Sequence, residues 1–196
     1  MIPGSGTDGC TPARQEDAAA DLPLCVDLDG TLIYADLLLI GTWMLLRRTP
    51  VQALALPGWL ARGKAYLKQN VASVSEIDPA GLAYNPPVLR LLADAKAKGR
   101  TLCLVTAAAE KNAMAVASFL GVFDNVFAST STTNLSGKHK ASLLVDKFGR
   151  GGFDYVGNSF DDLPVWRVSR ACFVVRPSPR LERVLRDLGN EVVIVS

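Results

Sequence analysis

The stretch LCVDLDGTL, residues 24–32, decides the fold of this chain. Its apolar start predicts a buried strand, and Asp27 and Asp29 follow at the strand's carboxyl end. Residues two apart in a strand point to the same side, so both carboxylates could face one small volume. In open α/β sheets this edge is where ligands bind. Two crowded carboxylates need a cation, a shared proton or both, so the stretch indicates chemistry as well as structure.

Apolar runs and helical patterns alternate along much of the remaining chain. Further strands are predicted at residues 101–106, 126–128, 153–156, 171–175 and 192–195. Helices are predicted between and after them, at residues 87–98, 110–120, 137–148, 161–169 and 179–188. Because the strands are almost wholly apolar, we expect a parallel sheet that helices cover on both faces. The predicted fold class is therefore α/β, with a Rossmann-like, three-layer core.

Residues 34–85 depart from this alternation and are predicted to form a small helical cap inserted after the first strand. Helices are predicted within it at residues 35–46, 51–70 and 74–78, with a break in the second at Pro57-Gly58. Pro50 ends the first helix, since the residue before a proline is pushed out of helical geometry. The core domain then comprises residues 22–33 and 86–196, and residues 1–21 are predicted to be a disordered tail.

Composition narrows the classes of function. The chain has 196 residues, and its net charge of +2 does not indicate a nucleic-acid-binding protein. The four cysteines form no CxxC pair, which argues against zinc and redox motifs and predicts a reducing, cytoplasmic location. No cleavable signal is expected at the start of the chain, and no apolar run reaches the ~20 residues that span a bilayer.

The predicted cap carries an unusual charge pattern. From Gly41 to Ser75 there is no acid, and the basic residues are Arg47, Arg48, Arg62, Lys64 and Lys68. Aromatic residues lie among them, at Trp43, Trp59 and Tyr66. Two interpretations stay open: a small core with a solvated basic rim, or a surface for an amphiphilic anion such as a lipid-linked phosphate or the headgroup layer itself. In the second case the protein would be peripheral to the inner face of a membrane.

Polar residues follow four of the predicted strands, at what should be one edge of a parallel sheet. They are Asp27 and Asp29, then Thr106 (followed by Ala107), then Lys138, His139 and Lys140, and finally Asn158, Asp161 and Asp162. Phosphoryl transfer uses such a set. A carboxylate can form an acyl-phosphate, a divalent cation offsets the repulsion between carboxylate and phosphate, and lysine and hydroxyl groups hold the phosphate oxygens.

In this order and spacing the motifs resemble those of the haloacid dehalogenase-like (HAD) hydrolase superfamily, over about residues 24–175. DLDGTL is the most specific of them, followed by a strand ending in threonine, a lysine before a helix, and a Gly-Asn loop with a later acid. The stretches LPGW (56–59), NLSG (134–137) and FDYVGNS (153–159) are similar to the HAD domain associated with UbiA-type prenyltransferases. The chain could be a free-standing form or a domain of a longer membrane protein.

The resemblance implies a Mg2+-dependent phosphomonoester hydrolase that works through a phospho-aspartate intermediate. Asp27 would attack phosphorus, and Asp29 would protonate the leaving oxygen and later activate water. The phosphate would be bound by Thr106, Ala107 and Lys140. Lys140 is preferred to Lys138 because it sits before Ala-Ser-Leu-Leu, as the family's lysine sits before a helix. A prenyl- or sugar-linked phosphate is implied as substrate, and a UbiA-type membrane prenyltransferase as partner.

The expected cation site departs from the family pattern in one place. Mg2+ is expected to be held by Asp27, Asp29, Asn158 and Asp162. The family loop usually begins Gly-Asp, whereas this chain has Gly157-Asn158, and asparagine brings no charge to a cation. Asp161 is a further candidate ligand. The alternative function is a catalytically weak HAD-like module that binds a phosphorylated ligand or a membrane partner.

Overall fold

A six-stranded parallel sheet forms the centre of the fold in the computed structural model, which describes residues 22–196. The strands are β1 (Leu24–Val26), β2 (Leu102–Ala109), β3 (Asn125–Ser129), β4 (Asp154–Gly157), β5 (Ala171–Val175) and β6 (Glu191–Val195). Their order is β3-β2-β1-β4-β5-β6, so the chain adds strands on one side of β1 and then crosses to the other. The predicted α/β fold class is confirmed, and the tail predicted at residues 1–21 lies outside the described residues.

Nine α-helices accompany the strands in residues 22–196. They are α1 (Leu37–Arg48), α2 (Pro50–Ala53), α3 (Leu56–Ala61), α4 (Lys64–Val74), α5 (Pro86–Ala97), α6 (Glu110–Leu120), α7 (Gly137–Phe148), α8 (Leu163–Trp166) and α9 (Pro179–Arg186). Two 3-10 turns occur as well, at Pro79–Gly81 and Phe160–Asp162. In this part of the chain none of the helices is long and apolar enough to cross a bilayer.

The sheet buries apolar side chains on both faces because successive residues of a strand point to opposite sides. Leu24 and Val26 of β1 belong to a buried cluster that includes Val88 of α5 and Val116 of α6. Cys25, between them, belongs to the opposite cluster, which side chains of α7, α8 and α9 complete. With both faces of β1 packed, the position of the chain that leaves its carboxyl end is fixed.

The second helix predicted in the cap segment, at residues 51–70, is three helices in the structure. Pro50 opens α2, where its missing N–H costs no hydrogen bond. Pro57 lies in the first turn of α3 for the same reason. Gly63 then separates α3 from α4 with a φ of 109°, a value that favours glycine. The assignment of residues 34–85 as a cap domain stays a prediction.

Three other predicted boundaries are corrected. The helix predicted at residues 74–78 is wrong: α4 ends at Val74, and Asp78 caps the following 3-10 turn by accepting from the Ala80 N–H at 3.0 Å. β2 continues past Thr106 to Ala109. The helix predicted at residues 161–169 is only a 3-10 turn followed by the four residues of α8, because the chain must turn to enter β5 at Ala171.

Candidate active site

A cavity of about 500 Å³ opens at the carboxyl ends of β1 and β4, where the sheet order reverses. Six predicted site residues line it, namely Asp27, Asp29, Ala107, Lys140, Asn158 and Asp162. The lining is acidic: it has five carboxylates, Asp27, Asp29, Asp36, Asp161 and Asp162, against two ammonium groups, Lys68 and Lys140. This excess of negative charge favours a bound cation.

Asp27 is the first residue after β1 and lies at the base of the cavity. Its N–H donates to the Val156 carbonyl at 3.0 Å, which continues the β1–β4 pairing by one residue. One carboxylate oxygen, Oδ1, accepts from Lys140 Nζ at 2.8 Å, and Oδ2 accepts from the Thr31 hydroxyl at 3.3 Å. Burial raises the pKa of Asp27, and the Lys140 charge opposes this rise. The carboxylate is therefore oriented and desolvated.

Lys140 lies in the first turn of α7 and is almost fully buried. Its Nζ donates to Asp27 and to the Tyr155 hydroxyl, both at 2.8 Å, and lies 3.6 Å from Asp162 Oδ1. Burial lowers the pKa of Lys140, but the charges of Asp27 and Asp162 outweigh it, so the net pKa is raised and the group stays charged. Lys138, the other candidate, is exposed to solvent.

Tyr155 belongs to the site but was not among the site residues predicted from the sequence. It is fully buried on β4 and its hydroxyl accepts from Lys140 Nζ and donates to Asp162 Oδ1, each at 2.8 Å. Asp27, Lys140, Tyr155 and Asp162 thus form one hydrogen-bonded chain under the cavity. The only signal in the sequence was a phenol in an otherwise apolar strand end, since a buried phenol needs a polar partner.

Asp162 fixes the loop that follows β4. While Tyr155 donates to its Oδ1, its Oδ2 accepts from the N–H groups of Asn158 at 3.0 Å and Ser159 at 3.3 Å. Gly157 makes this approach possible, because a Cβ there would lie 2.6 Å from Asp162 Oδ2. Both oxygens of Asp162 therefore already accept hydrogen bonds from protein donors, and the carboxylate fixes the main chain of Asn158, which lines the cavity.

Asp29 links the cavity to the start of α1. Its Oδ1 accepts from the N–H of Leu37, the first residue of that helix, at 3.0 Å. Burial raises the pKa of Asp29 to about 7, and the Leu37 hydrogen bond opposes the shift. Asp36, the N-cap of α1, accepts from the next two N–H groups and also lines the cavity. Two carboxylates thus occupy the amino end of one helix, where the dipole favours negative charge.

Thr106 is buried one residue below the cavity wall. Its hydroxyl accepts from the Ala108 N–H at 2.9 Å, and its neighbour Ala107 lines the cavity. The Ala107 carbonyl accepts from Lys68 Nζ at 2.7 Å, which joins α4 to the end of β2. Burial lowers the pKa of Lys68, against the opposing charge of Asp29. From the sequence, Lys68 was recognised only as one of the basic residues of the predicted cap. No motif predicted that it would line the cavity.

The donors around Asp27 fit a hard cation such as Mg2+. Among residues 22–196, no three His, Cys, Asp or Glu side chains come together as a ready-made metal cluster. Mg2+ does not need one, because it is commonly bound through one or two carboxylates and keeps several waters. Asp27, Asp29 and Asn158 all carry oxygen donors, and all three line this cavity of excess negative charge.

Comparison with known proteins gives the class to which this fold and site belong. Residues 24–167 match the haloacid dehalogenase-like hydrolase family, so the match covers most of the chain. The chain belongs to this family of hydrolases.

A relative in Sinorhizobium fredii (strain NBRC 101917 / NGR234), the uncharacterized protein y4nM, is 36% identical over 176 residues. The alignment covers 89% of this chain but 34% of the relative, so the chain spans about a third of that protein's length.

Two solved structures share the fold at low sequence identity. A protein of unknown function from Bordetella pertussis Tohama I superposes with a TM-score of 0.66 at 17% identity, covering 90% of this chain and 99% of its own. A phospho-aspartyl intermediate analogue of phosphoserine phosphatase superposes with a TM-score of 0.58 at 13% identity, covering 90% and 94% respectively. At these identities the likeness concerns the fold.

Proposed function

We propose that the protein is a Mg2+-dependent phosphomonoester hydrolase that acts through a phospho-aspartate at Asp27. The observation that carries the proposal is the pairing of a desolvated, oriented Asp27 carboxylate with the buried Lys140 ammonium at 2.8 Å, at the base of an open cavity. Membership of a hydrolase family and the likeness to the phospho-aspartyl analogue of phosphoserine phosphatase support it.

In the first half-reaction an Asp27 oxygen attacks phosphorus and the bond from phosphorus to the ester oxygen breaks. Asp29 gives its proton to that leaving oxygen. In the second half-reaction Asp29 takes a proton from a water molecule, the water oxygen attacks phosphorus, and the bond to Asp27 breaks to release phosphate. Lys140 stays bound to the Asp27 carboxyl throughout and stabilises the negative charge that develops beside it.

Lys140 needs its own support, because an ammonium group without partners would not stay charged in a buried site. Tyr155 and Asp162 supply that support, through a hydrogen bond of 2.8 Å and an ion pair of 3.6 Å. Ala107 lines the cavity, and we propose that its amide and the hydroxyl of its buried neighbour Thr106 bind phosphate oxygens. This last assignment rests on the family resemblance.

Mg2+ would be held by Asp27, Asp29 and Asn158, with Asp162 orienting the loop. When bound, the ion offsets the repulsion between the carboxylate and the phosphate. Both Asp162 oxygens already accept protein hydrogen bonds, which favours Asn158 over Asp162 as the ligand from this loop. Its neutral carboxamide should give weaker Mg2+ binding than an aspartate would.

We also propose that the substrate is a prenyl- or sugar-linked phosphate and that a UbiA-type membrane prenyltransferase is a partner. This finer proposal rests on the motifs shared with the HAD domain of such systems. It is compatible with the greater length of the Sinorhizobium fredii relative, of which this chain matches only 34%.

The test is Asp27→Asn, assayed with p-nitrophenyl phosphate in Mg2+, with Asp146→Asn as matched control because Asp146 is an exposed residue of α7. We expect Asp27→Asn to lose turnover by about three orders of magnitude and the control to keep it. A substrate labelled with radioactive phosphorus should leave an acid-stable label on the unmodified protein and none on Asp27→Asn. Undiminished turnover in that variant would contradict the covalent mechanism.

The second candidate function is a catalytically weak module that binds phosphorylated ligands. The neutral Asn158 in the family's acidic position favours it. Thermal unfolding with and without Mg2+ and inorganic phosphate separates the two functions. Stabilisation by phosphate with no effect of Mg2+ and no turnover would favour the binding module, whereas Mg2+-linked stabilisation together with turnover favours the hydrolase.

A further inference from the structure

Helix α1 has one face that is packed and one that is not. On the inner face Leu37, Gly41 and Leu45 are buried. Gly41 lets α1 approach α4 closely, since a Cβ there would lie 2.8 Å from both Val71 Cγ1 and Ser75 Oγ. This contact fixes the rotation of α1 about its own axis, and hence which of its residues face outward.

The outer face of α1 is apolar and uncovered. Leu39 is 68% exposed, Trp43 54% and Leu46 52%, at the i, i+4 and i+7 spacing of a single helix face. These side chains line a shallow groove of about 610 Å³. The next helix, α2, begins two residues after α1. Val51 in this helix is 79% exposed, and Leu54, directly after it, is 80% exposed. Large contiguous apolar exposure of this kind marks an interaction surface rather than ordinary protein surface.

The charged residues of the chain segment that carries this face all have one sign. Between Leu37 and Ser75 the chain has five basic residues and no acidic residue. Arg47 stands on the apolar face itself, with its guanidinium 3.8 Å from the centre of the Trp43 ring. Arg48 follows it and is also exposed, but it lines a different pocket together with Glu76 and Asp78. An aromatic ring beside cationic groups, next to apolar side chains, is typical of helices that lie in a lipid headgroup layer.

We propose that the outer face of α1, together with α2, docks on the surface of an anionic lipid bilayer. Two arguments select this occupant. In a two-fold interface with a second copy of the chain, two faces that each carry Arg47 would meet, and these like charges would repel. An anionic bilayer instead provides an apolar layer that can take up Leu39, Trp43 and Leu46, and negative charge that attracts Arg47. At 12 residues α1 is too short to span a bilayer, so it lies in the plane of the headgroups.

Docking in this way would place the active-site cavity beside the membrane. Leu39 lines both the apolar groove and the cavity that contains Asp27, so the two surfaces meet at this residue. A phosphomonoester with a lipid tail could then reach Asp27 while its tail stays in the bilayer. This consequence rests on the proposed function, whereas the docking itself does not.

The experiment measures co-sedimentation of the 196-residue chain with vesicles of phosphatidylcholine alone or with 30–50% phosphatidylglycerol, roughly the anionic content that gives a strong surface potential. We expect binding to the anionic vesicles only. Trp43→Glu and Leu46→Glu should each weaken it at least about tenfold. Ile194→Glu is the matched control, because Ile194 is 50% exposed on β6, the strand at one edge of the sheet, and not on α1 or α2. Its binding should be unchanged.

The electrostatic part is tested with Arg47→Glu, which should weaken binding at least about fivefold, since each basic residue near an anionic surface contributes roughly that factor. Arg183→Glu is its matched control, an exposed arginine of α9. Turnover of soluble p-nitrophenyl phosphate should be unchanged in Trp43→Glu and Leu46→Glu. That measurement separates loss of docking from loss of the active site.

Three results would overturn the proposal. The first is no binding to anionic vesicles by the unmodified chain. The second is equal weakening in Arg183→Glu and Arg47→Glu, which would assign the contact to another face or to net charge alone. The third is a dimer, seen by light scattering, that Trp43→Glu dissociates, which would make this face an interface between copies of the chain.

Discussion

Replacing Tyr155 by phenylalanine removes one oxygen from the buried chain that links Asp27 to Asp162. The ring can keep its place, because Tyr155 packs edge-on against Trp166 with ring centroids 6.3 Å apart, and phenylalanine preserves that contact. The hydroxyl makes two hydrogen bonds of 2.8 Å, one from Lys140 and one to Asp162, and both partners are charged and buried.

The magnitude follows from those two bonds. A hydrogen bond to a charged group contributes about 1.5–3 kcal/mol, so losing both could cost roughly 3–6 kcal/mol. Lys140 Nζ already lies 3.6 Å from Asp162 Oδ1 and can move closer, which recovers part of the loss. We therefore expect the free energy of unfolding to fall by about 2–4 kcal/mol. Such a shift of Lys140 away from Asp27 should also lower kcat about tenfold, equivalent to about 1.4 kcal/mol.

The assay is urea unfolding followed by circular dichroism, alongside kinetics with p-nitrophenyl phosphate. Tyr84→Phe is the matched control: its hydroxyl makes one 3.0 Å bond to a neutral acceptor, the Pro79 carbonyl, at a partly buried site. It should cost about 1 kcal/mol or less and leave kcat unchanged. If Tyr155→Phe costs no more than Tyr84→Phe, the idea that the phenol holds Lys140 in place is refuted.

Two further predictions concern the loop after β4 and the acid Asp29. Gly157→Ala should destabilise the protein by roughly 1–3 kcal/mol and weaken Mg2+ binding, because its Cβ would lie 2.6 Å from Asp162 Oδ2. The control is Gly58→Ala on α3, where the space around the Cβ position is open. In thermal unfolding this control should be neutral or slightly stabilising. In metal-free buffer the stability should fall as the pH rises from about 4 to about 7, because burial raises the pKa of Asp29 from 3.8 to about 7 and the folded protein therefore favours the neutral acid. The contribution is roughly 2–4 kcal/mol, and Asp29→Asn should remove that part of the slope, so an unchanged slope in the variant would contradict the shift.

The alternation of apolar strands and amphipathic helices was enough to predict the α/β sheet, since burial on both faces makes parallel strands recognisable as short apolar runs. Helices ended by glycine were predicted most accurately: α6 and α7 begin and end where the pattern indicated, at Glu110–Leu120 and Gly137–Phe148. The short turns around Asp78 and Ser159 were not, because local caps and 3-10 geometry compete closely with a full helix there.

The cap segment shows a similar limit. Its apolar content predicted helices, and four α-helices, α1 to α4, are present within residues 34–85. A uniform apolar pattern does not reveal which face of α1 packs inward, because Leu37, Leu39, Ile40 and Leu45 are alike in character. Packing against α4 at Gly41 makes that choice, and it leaves Leu39 and Trp43 outside.

By itself the sequence determined the fold class, the family and the position of Asp27 and Asp29 at a strand end. Those features follow from local periodicity and from one specific motif, both of which are written in consecutive residues. Only the tertiary structure decided that Lys140, Tyr155 and Asp162 join Asp27 in one buried chain, and that Lys68 reaches Ala107 from α4. The reason is physical: the energy that makes such groups functional comes from desolvation and from partners far apart in the chain, and neither is a property of any short stretch.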